Sequence, residues 1–345
     1  MHGLKFALIG CGRIAQKHAE HMANHGKLVA VCDTVSENRD ALAKKYSCKA
    51  YDSIEKLIAA EKKIDLVAVC TPNGLHAKHS IALLKTGFNV LCEKPMAITV
   101  KDCEKMIKAA DTTKKHLFIV KQNRFNLPIA ELKKVIDEGR LGKIFNVQLN
   151  CFWNRNDAYY NTSDWKGSKE LDGGTLFTQF SHFIDLLYWM VGDIKKAHLL
   201  TGNFMHKKNI DFEDTGVIAL KFTNGALGTV NYTVNSFAKN MEGSITVFGE
   251  KGTVKVGGQY LNVLEYQSIE NYTMQAVTEL KPANDYGFYQ GSMSNHDKVY
   301  ENIVDVLTKN GSIATNGAEG LKTVEIIENI YNSVKKKNKI SLQNS

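Results

Sequence analysis

Lys94 lies in "CEKP" (92–95), between a carboxylate and a proline, at the end of an apolar run. Proline biases the residue before it toward an extended backbone, and an X-Pro bond can be cis. The turn therefore holds Lys94 at the tip of a strand, where its ammonium group either meets solvent or is aimed at a ligand. A second candidate lies in "LDGGTLFTQFSHFIDLLYWMVG" (171–192), where Gly173 and Gly174 open a helix and Gln179, His182 and Asp185 recur every third residue. Oxidation of a secondary alcohol needs a group that takes the hydroxyl proton while hydride leaves; a histidine, or a lysine of lowered pKa, can do this. A lysine beside an oxidised nicotinamide has its pKa lowered by the like charge. Taken alone, His182 on an apolar helix reads as a satisfied core histidine, and it becomes a candidate only in the company of Lys94.

A sheet must bring these groups together. "LKFALIG" (4–10) reads as a buried parallel strand, followed by a helix over 13–25 with Gly26 as its stop. Strands over 27–33, 64–71, 88–95 and 116–123 alternate with helices over 36–46, 53–61, 76–87 and 100–113. Ser36 is the expected N-cap of the second helix. This rhythm predicts a doubly wound parallel sheet over residues 1–122. Between the first strand and helix stands Gly10-Cys11-Gly12-Arg13-Ile14-Ala15, a GxGxxA turn. Its first glycine makes the tight turn, its second admits a pyrophosphate, and the small alanine lets helix and strand pack closely. Asp33 ends the second strand where an acid binds ribose hydroxyls and repels a 2′-phosphate, which favours NAD over NADP, with Arg39 the one nearby cation against it. A flavin or another nucleotide in the same fold stays open. Three further segments reach the same carboxyl edge of the sheet: "CTPNGLH" with Thr71, Asn73 and His76, the "CEKP" turn with Glu93, and "KQNRF" with Gln122 and Arg124.

Beyond residue 122 the alternation stops. A helix over 128–139 starts with Pro128, and "KIFNVQLNCFW" (143–153) alternates like a half-solvated strand. Asn224-Gly225 and "GEKG" (249–252) mark two hairpins, and a last helix over 320–337 is expected to pack back on the first domain. Residues 123–345 thus read as an α+β domain with a large, mostly antiparallel open sheet. Its bare face predicts a homo-oligomer. Arg124, Arg155 and Lys166 could pair with an anionic ligand, and Tyr159 and Tyr160 could either border a nucleotide or sugar, or cap the sheet edge.

Composition narrows the class. Of 345 residues 43% are apolar and 23% charged, as in a globular enzyme. The net charge of +8 owes part of its excess to "KKKNK" (335–339), read as a solvated helix end, and no basic stripe interleaved with aromatics points to nucleic acid. The seven cysteines form no CxxC pair and fit reduced core residues rather than a disulfide or metal framework. No apolar run is long enough for a secretory signal or a membrane span, so a cytoplasmic protein is expected.

Together "ALIGCGRIA…HAEHM", "CTPNGLH", "CEKPMA", "RFN", "GRLGKI" and "LDGG…SHFIDLLYWM" resemble the glucose–fructose oxidoreductase/inositol dehydrogenase (Gfo/Idh/MocA) family over nearly the whole chain. "WNRNDAYYNTSDWKGSKELDGG" (153–174), "TQFSHFIDLL" (178–187) and "EDTGVIALKFTNGALG" (213–228) are most similar to its UDP-N-acetyl-2-amino-2-deoxy-glucuronate 3-dehydrogenases. The resemblance implies a Rossmann domain, a sheet face that builds dimers and tetramers, and Lys94 with His182 as catalytic pair. It implies NAD held by Gly10, Gly12, Arg13, Ile14, Asp33, Thr71, Asn73, His76, Glu93, Lys94, Gln122, Trp165 and Lys166. The nucleotide-sugar substrate is then expected at Lys94, Arg124, Asn154, Arg155, Tyr159, Gln179 and His182. It further implies that 2-oxoglutarate reoxidises bound NADH and that the 3-keto product feeds a transaminase. Many members carry an aspartate four positions before the histidine; here that position is Thr178, a departure shared with the uronate branch, whereas Lys166 stands where that branch more often has arginine.

Overall fold

The computed structural model describes residues 3–275, 283–287 and 289–335. The basic run expected to cap the last helix lies, beyond its first residue, outside them. Six parallel strands form the first sheet in the order β3-β2-β1-β4-β5-β6: β1 (Leu4–Ile9), β2 (Gly26–Cys32), β3 (Lys49–Tyr51), β4 (Leu66–Val69), β5 (Asn89–Cys92) and β6 (Leu117–Ile119). That order is the doubly wound dinucleotide-binding arrangement, with its crevice where β1 and β4 diverge. Phe6, Ala7 and Leu8 are fully buried, as a central strand covered on both faces requires. The covering helices are α1 (Arg13–His25), α2 (Ser36–Tyr46), α3 (Ile54–Ala60), α4 (His76–Lys85) and α5 (Val100–Thr113).

Several expected boundaries shift. Gly26 opens β2 instead of only stopping α1. Ser36 is the first residue of α2 and not its cap; Val35 holds the cap position with no side-chain bond, and Asp33 Oδ1 instead accepts from Val35 N at 2.8 Å. Strand β3 escaped the sequence because its three edge residues, two of them exposed, carry no apolar run. Expected as a strand through residue 123, β6 ends at Ile119, and the chain turns into a 3₁₀ segment, Gln122–Phe125.

The second sheet has seven strands in the order β13-β12-β11-β7-β10-β9-β8: β7 (Ile144–Phe152), β8 (Ile194–Gly202), β9 (Thr215–Phe222), β10 (Leu227–Thr233), β11 (Glu242–Gly249), β12 (Gly252–Gly257) and β13 (Val263–Ile269). All neighbours are antiparallel except β7 and β10. The Asn224-Gly225 turn joins β9 to β10, and "GEKG" joins β11 to β12. A separate pair, β14 (Ala283–Asp285) and β15 (Gln290–Met293), stands apart. The remaining helices are α6 (Leu127–Asp137), α7 (Asp157–Tyr160), α8 (Thr175–Thr178), α9 (Ser181–Val191), α10 (His296–Lys309) and α11 (Gly317–Lys335). The helix expected after Gly174 is in fact two, broken at Gln179 and Phe180. Helix α10 packs against α1, and α11 against α5 and β6, so the end of the described chain returns to the first sheet. No described helix is long and apolar enough to cross a membrane.

One buried ion cluster locks that return. Arg124 meets Asp185 through two bonds of 2.8 Å, Lys121 Nζ lies 2.9 Å from Asp185 Oδ1, and Arg124 also reaches Glu319 of α11 at 2.5 Å. Asp185 is 2% exposed. Removing one member of a buried cluster strands the others' charge. Asp185→Ala is expected to destabilise the protein by about 3–5 kcal/mol, read as an earlier midpoint in urea unfolding; an unchanged midpoint would show that the cluster carries no stability.

Candidate active site

The carboxyl ends of the first sheet open into a cavity of about 1220 Å³ whose far wall comes from residues 153–182 and 284–292. At its cofactor end, Gly10 has φ +87°, and a Cβ there would stand 2.6 Å from the Cys70 backbone. A Cβ on Gly12 would instead meet open space. Gly12 also caps α1 with no side-chain bond, so an anion at the turn meets the positive end of α1. Arg13 and Ile14 line the cavity just beyond it. Asp33 Oδ2 accepts from Cys11 N at 2.5 Å, which places the carboxylate beside the turn. These residues fit a dinucleotide: a cradle for pyrophosphate, and an acid for ribose one strand away.

Thr71, Asn73 and His76 also line the cavity, but their polar atoms are largely committed to the protein. His76 places its two ring nitrogens 2.7 Å from the carbonyls of Pro95 and Thr71, which straps the β4 turn to the β5 turn. Asn73 donates to the Asp172 carbonyl at 2.8 Å and to Thr178 Oγ1 at 2.7 Å. Thr71 Oγ1 lies 3.0 Å from His79 Nδ1.

At the reaction end, Glu93 anchors the lysine turn. Its Oε1 receives His18 Nε2 at 2.9 Å and His296 Nε2 at 3.3 Å, while Oε2 accepts from Lys94 N at 2.9 Å. Burial alone would raise the Glu93 pKa, but the hydrogen bonds from His18 and His296 outweigh it and hold the carboxylate well below its ordinary range. Among the described residues, His18, Glu93 and His296 are the group whose ligand atoms could surround a metal ion, all within 4.8 Å. Both histidines bond Glu93 directly. Lys94 Nζ donates to the Thr178 carbonyl at 2.7 Å. Burial, aided by Arg155 and Lys121 and opposed by Glu93 and Asp172, lowers its pKa to about 8. His182, 3% exposed, has its Nε2 3.1 Å from Gln122 Nε2, and burial followed by the Lys94 charge pushes its pKa well down, so the ring is neutral.

The far wall is cationic and aromatic. Arg155, 2% exposed, donates to Gln179 Oε1 and to the Asn154 carbonyl at 2.6 Å each, and to Asn240 Oδ1 at 3.2 Å. Gln179 in turn donates to Tyr159 OH at 2.7 Å. Lys166 Nζ sits 3.9 Å from the Tyr159 ring centroid, and burial with the nearby Arg13 brings its pKa to about 7. Trp165 lines the wall beside it.

Two expected substrate contacts are corrected. Arg124 lies outside this cavity, because Asp185 and Glu319 consume its guanidinium. Asn154 also faces away, donating to the Ser236 carbonyl at 2.6 Å. Sequence reasoning missed Tyr286, Tyr289 and Ser292, which line the cavity from the β14–β15 segment; Asp285 and Gly287 gave a turn signal there but nothing about direction. Asp172 was visible only as part of "LDGG".

Fold and site together define an NAD-dependent oxidoreductase. The chain belongs to the Gfo/Idh/MocA oxidoreductase family: residues 4–121 match its NAD-binding Rossmann fold and residues 133–342 its C-terminal alpha/beta domain. Two solved relatives are the WlbA dehydrogenases of Chromobacterium violaceum and Bordetella pertussis, each in complex with NADH and UDP-GlcNAcA. The first is 34% identical, with a TM-score of 0.88 over 97% of this chain and 95% of that one. The second is 34% identical, with a TM-score of 0.86 over 99% of this chain and 100% of the other. Inositol 2-dehydrogenase of Rhizobium meliloti is 25% identical over 98% of this chain and 99% of its own length.

Asp33→Ala is expected to weaken NAD binding by about tenfold or more and to narrow the preference over NADP, as read by quenching of intrinsic fluorescence. An unaltered ratio of the two affinities would remove Asp33 from ribose recognition.

Proposed function

We propose that the protein oxidises the C3 hydroxyl of a UDP-linked N-acetylated amino-uronic acid to the 3-keto sugar, a step in nucleotide-sugar and surface polysaccharide synthesis. The observation that carries this reading is Arg155. Among the described residues, a guanidinium buried to 2% exposure is bonded only to neutral groups, and the residues acting most on it after burial are tyrosines 159, 289, 160 and 260. A buried charge without a counter-charge is costly, so the site suits a ligand that brings a carboxylate. Arg13 and Lys166 line the same cavity, and the Arg13 charge acts on Lys166, in keeping with a substrate that also carries a diphosphate. The cavity exceeds the ~300–1,000 Å³ usual for one small ligand and suits two ligands side by side. The 34% identity to dehydrogenases crystallised with UDP-GlcNAcA points the same way.

In this reading Lys94 removes the hydroxyl proton, because its pKa of about 8 lies near working pH. His182, neutral and held by Gln122, hydrogen-bonds the same oxygen. Gln179 and Tyr159 fix the Arg155 fork. NAD, when bound, accepts the hydride from the carbinol carbon. A 2-oxo acid of the 2-oxoglutarate class would be the co-substrate that regenerates NAD in place, gaining a hydride and a proton to become the 2-hydroxy acid.

Arg155→Met is expected to raise KM for UDP-N-acetylglucosaminuronic acid about tenfold or more. Binding of a neutral UDP-sugar should change little. Equal losses for both sugars would detach Arg155 from the carboxylate, and robust turnover of inositol by the wild type would move the substrate to a neutral polyol. For the wild type, kcat/KM should rise with pH through a limb at or below about pH 8, since the neutral amine is the active form. Lys94→Met should abolish turnover and spare NAD binding.

We also propose a homo-oligomer, a tetramer, built on the outer face of the second sheet. Leu200, Val217 and Leu227 are exposed there among paired strands. Light scattering should give four times the 38.5 kDa chain mass, and a monomer at micromolar concentration would exclude it.

A further inference from the structure

Asp172 stands behind the reaction end of the cavity without lining it. It is 1% exposed, its Oδ2 accepts from Gly167 N at 2.8 Å, and its Oδ1 accepts the Thr178 hydroxyl. Its carbonyl accepts from Asn73, which also bonds Thr178 Oγ1. Thr178 then offers its own carbonyl to Lys94 Nζ at 2.7 Å. Gly167, with φ +82°, packs so closely on the Asn209 carbonyl that a Cβ would collide with it, so the loop holding the carboxylate has little room to shift. The β4 turn, this loop and the lysine turn are thereby bonded into one unit.

The charges match the geometry. Lys166 and Lys94 are the cations acting on Asp172. Facing Lys94 are Glu93 on its own turn, Arg155 and Lys121 from neighbouring elements, Asp172 behind Thr178, and His182. Glu93 is the stronger carboxylate on Lys94 and bonds two histidines and a backbone N–H. Asp172 bonds neutral donors, and although burial raises its pKa to about 6 it is ionised where Lys94, at about 8, loses its proton, so its charge acts on both lysines across that limb.

We propose that Asp172 is a positioning residue for the reaction: through Thr178 it fixes the carbonyl that holds the Lys94 ammonium group, and its charge offsets those of Lys94 and Lys166 from behind the cavity wall. This inference rests on the reading of Lys94 as the base. Loss of the charge makes the Lys94 ammonium group less stable, so its proton leaves at lower pH. Loss of the Thr178 link leaves the charge but frees the carbonyl.

The test uses the full chain loaded with NAD and UDP-N-acetylglucosaminuronic acid as probe, following kcat and kcat/KM against pH. In Asp172→Asn the acid limb of kcat/KM should move down by about half a pH unit or more, kcat should fall several-fold, and NAD affinity should stay within twofold. In Thr178→Val kcat should fall with KM and the limb unmoved, and Thr178→Ser should restore it. An unmoved limb in a folded Asp172→Asn protein overturns the proposal, as does an unaltered kcat in Thr178→Val, which stands as the test should Asp172→Asn not fold. Turnover surviving in Lys94→Met would instead overturn the reading of Lys94 as base, so the two failures are distinct.

Discussion

Burying a cation is expensive unless a matching carboxylate is buried with it, and this cost separates the structural charges of the protein from the chemical ones. Lys121 and Arg124 are deep in the interior and bonded to Asp185, with Glu319 completing the set. Lys94, Arg155 and Lys166 are sunk in the cavity wall with far less compensation. Burial lowers the pKa of all three, as it does that of Lys121, but among the described residues none of the three has a carboxylate bonded to its charged group as Lys121 has in Asp185. The first group holds elements together. The second lies beside a cavity large enough for ligands and is held there at a cost that a bound anion offsets.

The fold provides the means to hold such groups in place. Parallel strands deliver their carboxyl ends to one edge, and each turn there is tied to another by a buried side chain: His76 joins the β4 and β5 turns, and Asn73 joins β4 to the loop before α8. Glu93 reaches further. Through His18 on α1 and His296 on α10 it couples the lysine turn to both the first and the last part of the chain, and Tyr300 OH completes the chain at 2.8 Å from His18 Nδ1. A lysine whose backbone N–H is bonded to a fixed carboxylate and whose Nζ is bonded to a fixed carbonyl has little freedom left. That restraint is what a proton transfer at a defined carbon requires.

Local pattern made much of this legible. The glycine turn, the strand-and-helix rhythm, the lysine turn and the two hairpins all depend on near neighbours, and the sequence showed each in nearly its observed place. Direction in space was not legible. Asp185 shares its three-residue spacing with Gln179 and His182, yet the helix breaks at Phe180 and Asp185 turns to Arg124, 61 residues away in sequence. Arg124 and Asn154 have the chemistry of anion and sugar contacts, but partners remote in sequence claim them first. Ser36 follows a strand as a cap would, yet it is already the first residue of α2, and the Asp33 carboxylate bonds Val35 N at the cap position. The tyrosines at 286 and 289 carried no periodic signal because they lie in the connection between two short strands, β14 and β15.

The most direct measurement is the absorbance of NAD-loaded protein at 340 nm on adding UDP-N-acetylglucosaminuronic acid, before and after 2-oxoglutarate. A rise on sugar addition that 2-oxoglutarate reverses is the expected result for a dehydrogenase whose under-compensated cations receive an anionic nucleotide sugar beside Lys94. No rise with the uronate, together with a rise for a neutral sugar or inositol, would contradict it.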